Sequence, residues 1–292
     1  MDFHRVIAFV PSTAILALLA AAAAPAGGRP GRSAVANPPE SPLEFVRQMV
    51  HNEIQVQNGK PIYWRYLEID KTNGVEKVFD VYQTKAGTMK LLLAVNGKPL
   101  SAALRQKQHA RLENILNHPS QAQAAARARN QDAGNERKML ALLPHAFHFQ
   151  YDGRVGRLIR LRFRPDPRFD PPTHEAKVFH HMKGHLLVDP HQMRLAEMDG
   201  RLTSEVKFWW GLLGNLDSGG TFLVRQSDIQ GNNWRMTRLK VNMKGKALFF
   251  KTIGVQQNQR FEDFHENPPD MTLRQAIDQL EQATLPDQGT KR

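Results

Sequence analysis

The stretch that decides the fold runs from Val178 to Phe250 and reads VFHHMKGHLLVDPHQMRLAEMDGRLTSEVKFWWGLLGNLDSGGTFLVRQSDIQGNNWRMTRLKVNMKGKALFF. Short apolar segments recur in it, and the groups of turn-forming residues that separate them are Asp189-Pro190, Asp199-Gly200, Gly219-Gly220, Gly231-Asn232-Asn233 and Lys244-Gly245. Segments of this length between such residues are typical of antiparallel strands joined by tight turns. The stretch therefore predicts an antiparallel sheet, to which the flanking segments add strands or helices.

The first 26 residues have the pattern of a signal peptide. Arg5 supplies a short positive region, Val6 to Ala24 is apolar, and Ala24-Pro25-Ala26 offers the small residues that signal peptidase needs. A retained membrane anchor is the alternative, because the apolar run is close to the roughly 20 residues that span a bilayer. Pro11 and the weakly hydrophobic alanine-rich end favour cleavage, so we expect an exported protein in the periplasm that is soluble after processing.

The charge and the cysteine count constrain the partners and the compartment. The sequence carries 40 Lys and Arg against 28 Asp and Glu, a formal charge of +12, and it has no cysteine. Without cysteine the chain cannot be a lipid-anchored lipoprotein, and an exported fold must be held by its core alone. A cytosolic protein this basic would suggest nucleic acid, but behind a signal peptide the charge favours anionic lipid head groups, acidic polysaccharide or acidic protein.

The rest of the chain predicts a single domain over residues 43–285, between a flexible linker at 27–42 and a loose tail at 286–292. Ser41 and Pro42 are a capping residue and a first-position proline for an initial helix, and Thr272 can cap a final one. Residues 101–143 interrupt the strand pattern, and we read them as a helical insert folded over one face of the sheet. Their alanine-rich middle fits either a solvated helix or a partly disordered excursion.

Strict alternation after Pro144 predicts two strands with one apolar face each. On the second of them, Ile159, Leu161 and Phe163 alternate with three arginines, Arg160, Arg162 and Arg164. Like charges on one strand face repel each other, so the arginines need water or an anion beside them. They could form a solvated face that also blocks edge pairing, or they could contact phosphate or an anionic membrane surface, which suits the arginine fork.

Further apolar rows in the deciding stretch are candidates for a ligand-binding groove. Their members are Val206, Phe208, Trp210, Phe222, Val224, Leu239 and Val241. If the sheet closes on itself, these side chains fill a core. If it is an open half-barrel under a helical lid, some of them line a cavity that accepts acyl chains.

No pattern for catalysis or for a cofactor emerges. The sequence contains no G-x-S-x-G, no glycine-rich phosphate loop and no H-E-x-x-H. His181, His185 and His191 share a strand parity with Asp189, but positions two apart on a strand are about 7 Å apart, too far for ligands of one zinc ion. We therefore expect surface histidines, no metal, no cofactor and no enzyme activity.

Two blocks of sequence resemble a known superfamily. They are Pro61-Ile62-Tyr63-Trp64-Arg65-Tyr66, and Met182 to Asp189 (MKGHLLVD) followed by Arg194-Leu195-Ala196. They are similar to segments of the LolA-type periplasmic lipoprotein carriers, a superfamily that also includes LppX-like lipid-binding proteins and RseB-like sensor domains. Phe169-Asp170-Pro171-Pro172 and Gly245 to Phe250 (GKALFF) resemble an outer-membrane lipoprotein-sorting-like branch.

This resemblance implies an α+β fold, a curved and incomplete antiparallel β-barrel, or half-barrel, with helices covering its concave face. It also implies a non-catalytic carrier whose partner is a lipid or an acylated protein. Because the basic charge lies behind a signal-peptide pattern, we expect no nucleic-acid partner. The alternative within the superfamily is an RseB-like sensor or interaction module that binds a protein partner in the same compartment.

Overall fold

The computed structural model describes residues 41–208, 214–231, 233–247 and 251–282. Within these ranges it contains thirteen strands and four α-helices. The helices are α1 (Pro42–Gln57), α2 (Ala102–Asn117), α3 (Pro119–Ala146) and α4 (Leu273–Glu281), and a 3-10 helix covers Glu175–His181. The strands are β1 (Trp64–Thr72), β2 (Val75–Thr84), β3 (Gly87–Val95), β4 (Lys98–Pro99), β5 (Phe147–Val155), β6 (Leu158–Pro165), β7 (Met182–Asp189), β8 (Arg194–Leu202), β9 (Val206–Phe208), β10 (Gly214–Leu216), β11 (Thr221–Asp228), β12 (Trp234–Ala247) and β13 (Lys251–Glu266).

The chain divides into two compact units. The first contains the residues up to Pro61 together with Asp132–Gln257, and the second contains Ile62–Gln131 together with the residues from Asn258. The strand order is β12-β11-β8-β7-β6-β5 in the first unit and β4-β3-β2-β1 in the second. The long strand β13 has residues in both units and pairs with β12 and with β1. Short strands β10 and β9 branch from β12. The predicted boundaries of a single domain at 43–285 stay a prediction.

The predicted α+β class with an antiparallel sheet is confirmed. The pairings from β1 through β4 and from β5 through β8, as well as β8–β11 and β11–β12, are all antiparallel. In the described residues the strand order ends at β4 on one side and at β5 on the other, so the sheet is open. This arrangement agrees with the predicted incomplete barrel.

The capping residues predicted from the sequence lie at the starts of helices. The Ser41 hydroxyl accepts a hydrogen bond from the Glu44 amide at the start of α1, and α1 ends at Asn58. Thr272 and Gln275 form a reciprocal capping box at the start of α4. The insert predicted at 101–143 consists of α2, capped by Ser101, and α3, which begins at Pro119. Among the described residues, none of the helices is long and apolar enough to cross a membrane.

The second unit is held by one apolar core. Helices α2 and α4 pack on one face of its sheet, where the buried side chains are Leu67, Tyr82, Met89, Leu91, Leu93, Leu112, Ala276, Ile277 and Leu280. Arg65 pairs with the buried Asp80 at 2.9 Å on this same face and lies over the Tyr82 ring. Burial of these apolar side chains is the main stabilising contribution to the unit.

Two expected turns lie inside strands. Asp199-Gly200 falls in the middle of β8 and Lys244-Gly245 falls in β12. These glycines serve close packing: a Cβ at Gly200 would lie 2.6 Å from the Phe222 ring, and one at Gly245 would clash with the Asn215 carbonyl on β10. A strand glycine of this kind permits a close approach rather than a change of direction.

Candidate binding surfaces

In the first unit, one face of the sheet is built from apolar rows that cross the strands. Leu161, Leu186, Met198, Val224 and Leu239 lie directly opposite one another on β6, β7, β8, β11 and β12. The members of this row are all buried. Because neighbouring strands are about 4.8 Å apart, the row extends roughly 19 Å across the sheet. The face therefore offers a continuous layer of branched and thioether side chains.

A second row runs beside the first and contains two glycines. It crosses the same five strands through Phe163, Gly184, Gly200, Phe222 and Val241. The Phe222 ring lies over Gly200, and an added Cβ at Gly184 would clash with the β8 backbone. Phe222 thus fills the space that a side chain at Gly200 would take, and the β8 backbone fills the space beside Gly184, which keeps the apolar layer closely packed.

The structure brings some of the predicted groove residues together. Phe222 faces Val241 and Val224 faces Leu239 across β11 and β12, whereas Val206 faces Leu216 on the separate β9–β10 pair. All five predicted residues whose side chains are described are 1–6% exposed: Val206, Phe222, Val224, Leu239 and Val241. Phe208 lies on β9, but its side chain is outside the described set, and Trp210 lies outside the described residues. That these residues line a groove stays a prediction.

Helix α1 packs on the first unit's sheet through its apolar side and one buried ion pair. Phe45, Val46, Met49 and Val50 are buried, and the Phe45 ring lies 6.1 Å from that of Tyr151 on β5. The Glu53 carboxylate accepts from the Arg194 guanidinium at 2.8 and 3.1 Å and from the Leu195 amide at 2.8 Å. The side chains of Glu53 and Arg194 are only 3% and 5% exposed, so the pair is withdrawn from water.

More polar contacts join α1 to the turn between β7 and β8. The Asn52 amide donates to the carbonyls of Gln192 and Met193 at 2.9 and 3.0 Å. The Trp234 indole donates to the Gln192 side chain at 2.5 Å, and the Arg194 guanidinium lies 5.8 Å from the Trp234 ring centre. Sequence reasoning missed this network, since its members come from positions 52 to 234 and carry no common spacing.

The three predicted arginines lie side by side on the polar face of β6. The carboxylate of Asp152 lies 3.4 Å from Arg160 and 3.9 Å from Arg162, and Arg162 also donates to Gln150 at 3.2 Å. Arg164 is exposed and lies opposite His148 on β5. Strand β6 lies between β5 and β7, so protection of a free sheet edge does not account for the arginines.

The histidines expected at the surface take part in separate contacts. The His181 ring lies 2.6 Å from the Ser204 hydroxyl, and His185 lies 3.3 Å from Asp199 and 3.9 Å from Asp152. Asp189 instead accepts from the amides of the β7–β8 turn and pairs with Arg157 at 3.2 Å. Within the described ranges, no three His, Asp or Glu side chains converge in an arrangement that could hold a metal ion.

Glu136 and His181 are among the titratable groups of the first unit whose pKa values are clearly displaced. Burial, followed by the nearby charge of Asp132, raises the pKa of Glu136 on α3 to about 7, although Arg137 opposes the shift. Burial and then the neighbouring His180 lower the pKa of His181. Glu136 therefore titrates near neutral pH, whereas His181 is held in its neutral form there.

Comparison with known proteins gives one structural likeness. A candidate outer membrane lipoprotein-sorting protein domain from Vibrio parahaemolyticus matches 82% of this chain and 98% of its own length. The likeness is one of structure, with a TM-score of 0.29 and 10% sequence identity. A scan against protein-family models finds no match, and a search of curated proteins finds none. A likeness of this degree assigns no function to this chain.

Proposed function

We propose that this protein is a non-catalytic carrier, working in the periplasm, that holds a lipid or an acylated protein against the apolar face of the first unit's sheet. The observation that carries the proposal is the apolar layer, to which five strands contribute in two adjacent rows. Each methylene buried against such a layer contributes about 0.8 kcal/mol, so a long acyl chain can be held without a polar anchor. The signal-peptide pattern of residues 1–26 supports the compartment.

The proposed site fits binding better than catalysis. The two rows consist of aliphatic, aromatic and thioether side chains and glycine, and groups of these kinds bury hydrocarbon but transfer no proton. Because the layer is packed, cargo enters in the proposed mechanism when side chains of the layer and α1 move away from the sheet. In this mechanism, lifting α1 requires that its apolar contacts, the Glu53–Arg194 ion pair and the Asn52 hydrogen bonds be broken.

Val224→Gln tests the cargo site. It places an amide in the apolar row, so we expect a folded protein whose uptake of a fluorescent fatty acid or phospholipid falls at least ten-fold. Val75→Gln is the matched control, because Val75 is 40% exposed on β2 in the second unit. Circular dichroism checks folding, and Val224→Thr, which keeps the shape of the side chain, replaces the glutamine variant if that fails to fold.

Mass spectrometry of the protein purified from its native host distinguishes the two proposed kinds of cargo from a protein partner. Co-purifying lipid or an acylated protein supports the carrier. A parent protein that never takes up lipid, together with a stoichiometric non-acylated protein partner, would replace the carrier with the sensor or interaction module. Equal lipid uptake by the parent and by Val224→Gln would move the cargo away from this face.

A further inference from the structure

The polar face of the first unit's sheet carries a regular array of Lys and Arg side chains. Alternation places them on the side opposite the apolar rows, and we call this set the basic face: Arg160, Arg162, Arg164, Lys183, Arg201, Arg225, Arg238 and Lys240. The eight residues come from β6, β7, β8, β11 and β12, and six of them are exposed while Arg160 and Arg238 are half-buried. Strand geometry spaces such side chains about 7 Å along a strand and about 4.8 Å across it.

The basic face contains like charges in direct opposition. Lys183 lies opposite Arg201 across β7 and β8, and Arg225 lies opposite Arg238 across β11 and β12. Cross-strand pairs of like charge destabilise a sheet, as do arginines at successive same-face positions of β6. Repulsion between these cations lowers the stability of the free protein, and an anion bound beside them would offset the repulsion.

Carboxylates on the same face offset only part of this charge. Asp152 pairs with Arg160, Glu197 pairs with Arg225 at 2.5 Å, and Asp199 contacts His185. The eight cations of the basic face therefore outnumber the four carboxylates on the same side of β5, β7 and β8, which are Asp152, Asp189, Glu197 and Asp199. Positive charge is thus concentrated on one side of the first unit's sheet.

The other side chains of the basic face favour one kind of anionic partner. Leu187 and Leu223 are half-exposed among the cations, and among the described residues of this face there is no Phe, Tyr or Trp. Binding of single-stranded nucleic acid uses aromatic rings for stacking, and duplex recognition uses an element that enters a groove. A two-dimensional array of cations with interspersed leucines instead matches an array of phosphate head groups above an apolar layer. We propose that the basic face is a docking site for the surface of an anionic phospholipid bilayer.

The test is sedimentation of the full-length mature protein with vesicles of phosphatidylcholine containing 30% phosphatidylglycerol, compared with vesicles of phosphatidylcholine alone. Binding is expected with the anionic vesicles only, and it should weaken as salt rises. The test variant combines Lys183→Gln, Arg201→Gln and Lys240→Gln. Each basic residue at such a surface contributes about five-fold to binding, so the partition coefficient should fall on the order of 100-fold.

The control variant removes the same charge elsewhere, through Lys85→Gln, Lys98→Gln and Lys107→Gln at exposed positions of the second unit. It should bind within a few-fold of the parent. The test variant should keep or raise the thermal midpoint, because it relieves the opposition of Lys183 and Arg201, whereas a purely structural role would lower it. If one of its three changes prevents folding, Lys240→Gln with Arg164→Gln replaces it.

The docking site would be overturned if the parent did not bind anionic vesicles at low salt, or if the test and control variants lost vesicle binding equally. It would also be overturned if the parent bound a labelled 20-nucleotide DNA and the test variant lost that binding while its vesicle binding persisted. The proposal does not depend on the cargo site, which lies on the opposite face of the same strands. A test variant that still takes up lipid but no longer binds vesicles would separate the two functions.

Discussion

The ion pair between Glu53 and Arg194 is the sharpest place to perturb the first unit. Arg194→Met removes the cation and leaves the buried Glu53 carboxylate with the Leu195 amide as its one donor among the described residues. Glu53→Leu removes the carboxylate and leaves the guanidinium and that amide without their acceptor. The double variant replaces both charges with apolar side chains in the same space.

The structure sets the expected magnitudes. Because both side chains are about 95% buried, the removal of one partner should cost about 3–5 kcal/mol of unfolding free energy, most of it from the uncompensated charge. In the double variant no charge remains, and the unpaired Leu195 amide costs about 1–3 kcal/mol. The double variant should therefore be more stable than either single variant. On the same helix, Arg47→Met should change stability by less than about 0.5 kcal/mol, since Arg47 and Glu44 form an exposed pair at 3.7 Å.

Urea unfolding measures the total effect, and hydrogen exchange read by mass spectrometry localises it to α1. The single variants should increase exchange of amides in Pro42–Gln57 before they affect the second unit. Single variants that each lose less than 1 kcal/mol, or a double variant whose loss equals the sum of the two, would refute the reasoning. Either result would mean that water or chain relaxation compensates the buried charge.

Two further predictions concern the titration of α3 and the packing of the glycines. Folding disfavours the ionised form of Glu136, because its pKa rises from the model-compound value of 4.5 to about 7, so the parent loses stability as pH rises between these values. Glu136→Gln should therefore be more stable than the parent by about 1–2 kcal/mol at pH 8, after discounting for partial exposure, and equally stable at pH 4. Equal effects of the substitution at both pH values would argue against a raised pKa. Gly200→Ala should lower the free energy of unfolding by about 1–3 kcal/mol, because its Cβ would lie 2.6 Å from the Phe222 ring. Gly134→Ala on helix α3 should raise it by about 0.5–1 kcal/mol, because a Cβ there would meet no neighbouring atom within 4 Å. Shifts of the thermal midpoint in the same direction for both variants would contradict this packing.

Local signals made the elements predictable. The capping residues Ser41, Ser101 and Thr272 all begin helices, and Asn96-Gly97 forms a tight turn in which both residues have positive φ. Such signals depend on residues within one or two turns of each other, so the sequence alone contains them. The turns predicted at Gly200 and Gly245 are wrong for a related reason. These glycines are required by close contact with Phe222 and Asn215, which lie elsewhere in the chain.

The candidate surfaces were predictable only in part. Alternation indicates which side chains of one strand share a face: it groups Phe222 with Val224, Leu239 with Val241, and the three arginines with one another. Alternation does not indicate which strands are neighbours. The opposition of Lys183 to Arg201, and the ion pair that joins Glu53 to Arg194 across 141 positions, depend on the strand order and on the docking of α1.

Strand β6 contributes to both the apolar rows and the basic face, so its pairing register determines both faces at once. Its side chains alternate between the apolar rows, at Leu161 and Phe163, and the basic face, at Arg160, Arg162 and Arg164. A slip of one residue in its pairing would bury three guanidinium groups and expose the apolar set, so the arginines fix the register of β6 by making the alternative very unfavourable. Solvated glutamine or threonine would serve that purpose without mutual repulsion. The choice of three arginines, next to further cations across four more strands, is therefore better explained by an anionic partner than by register alone.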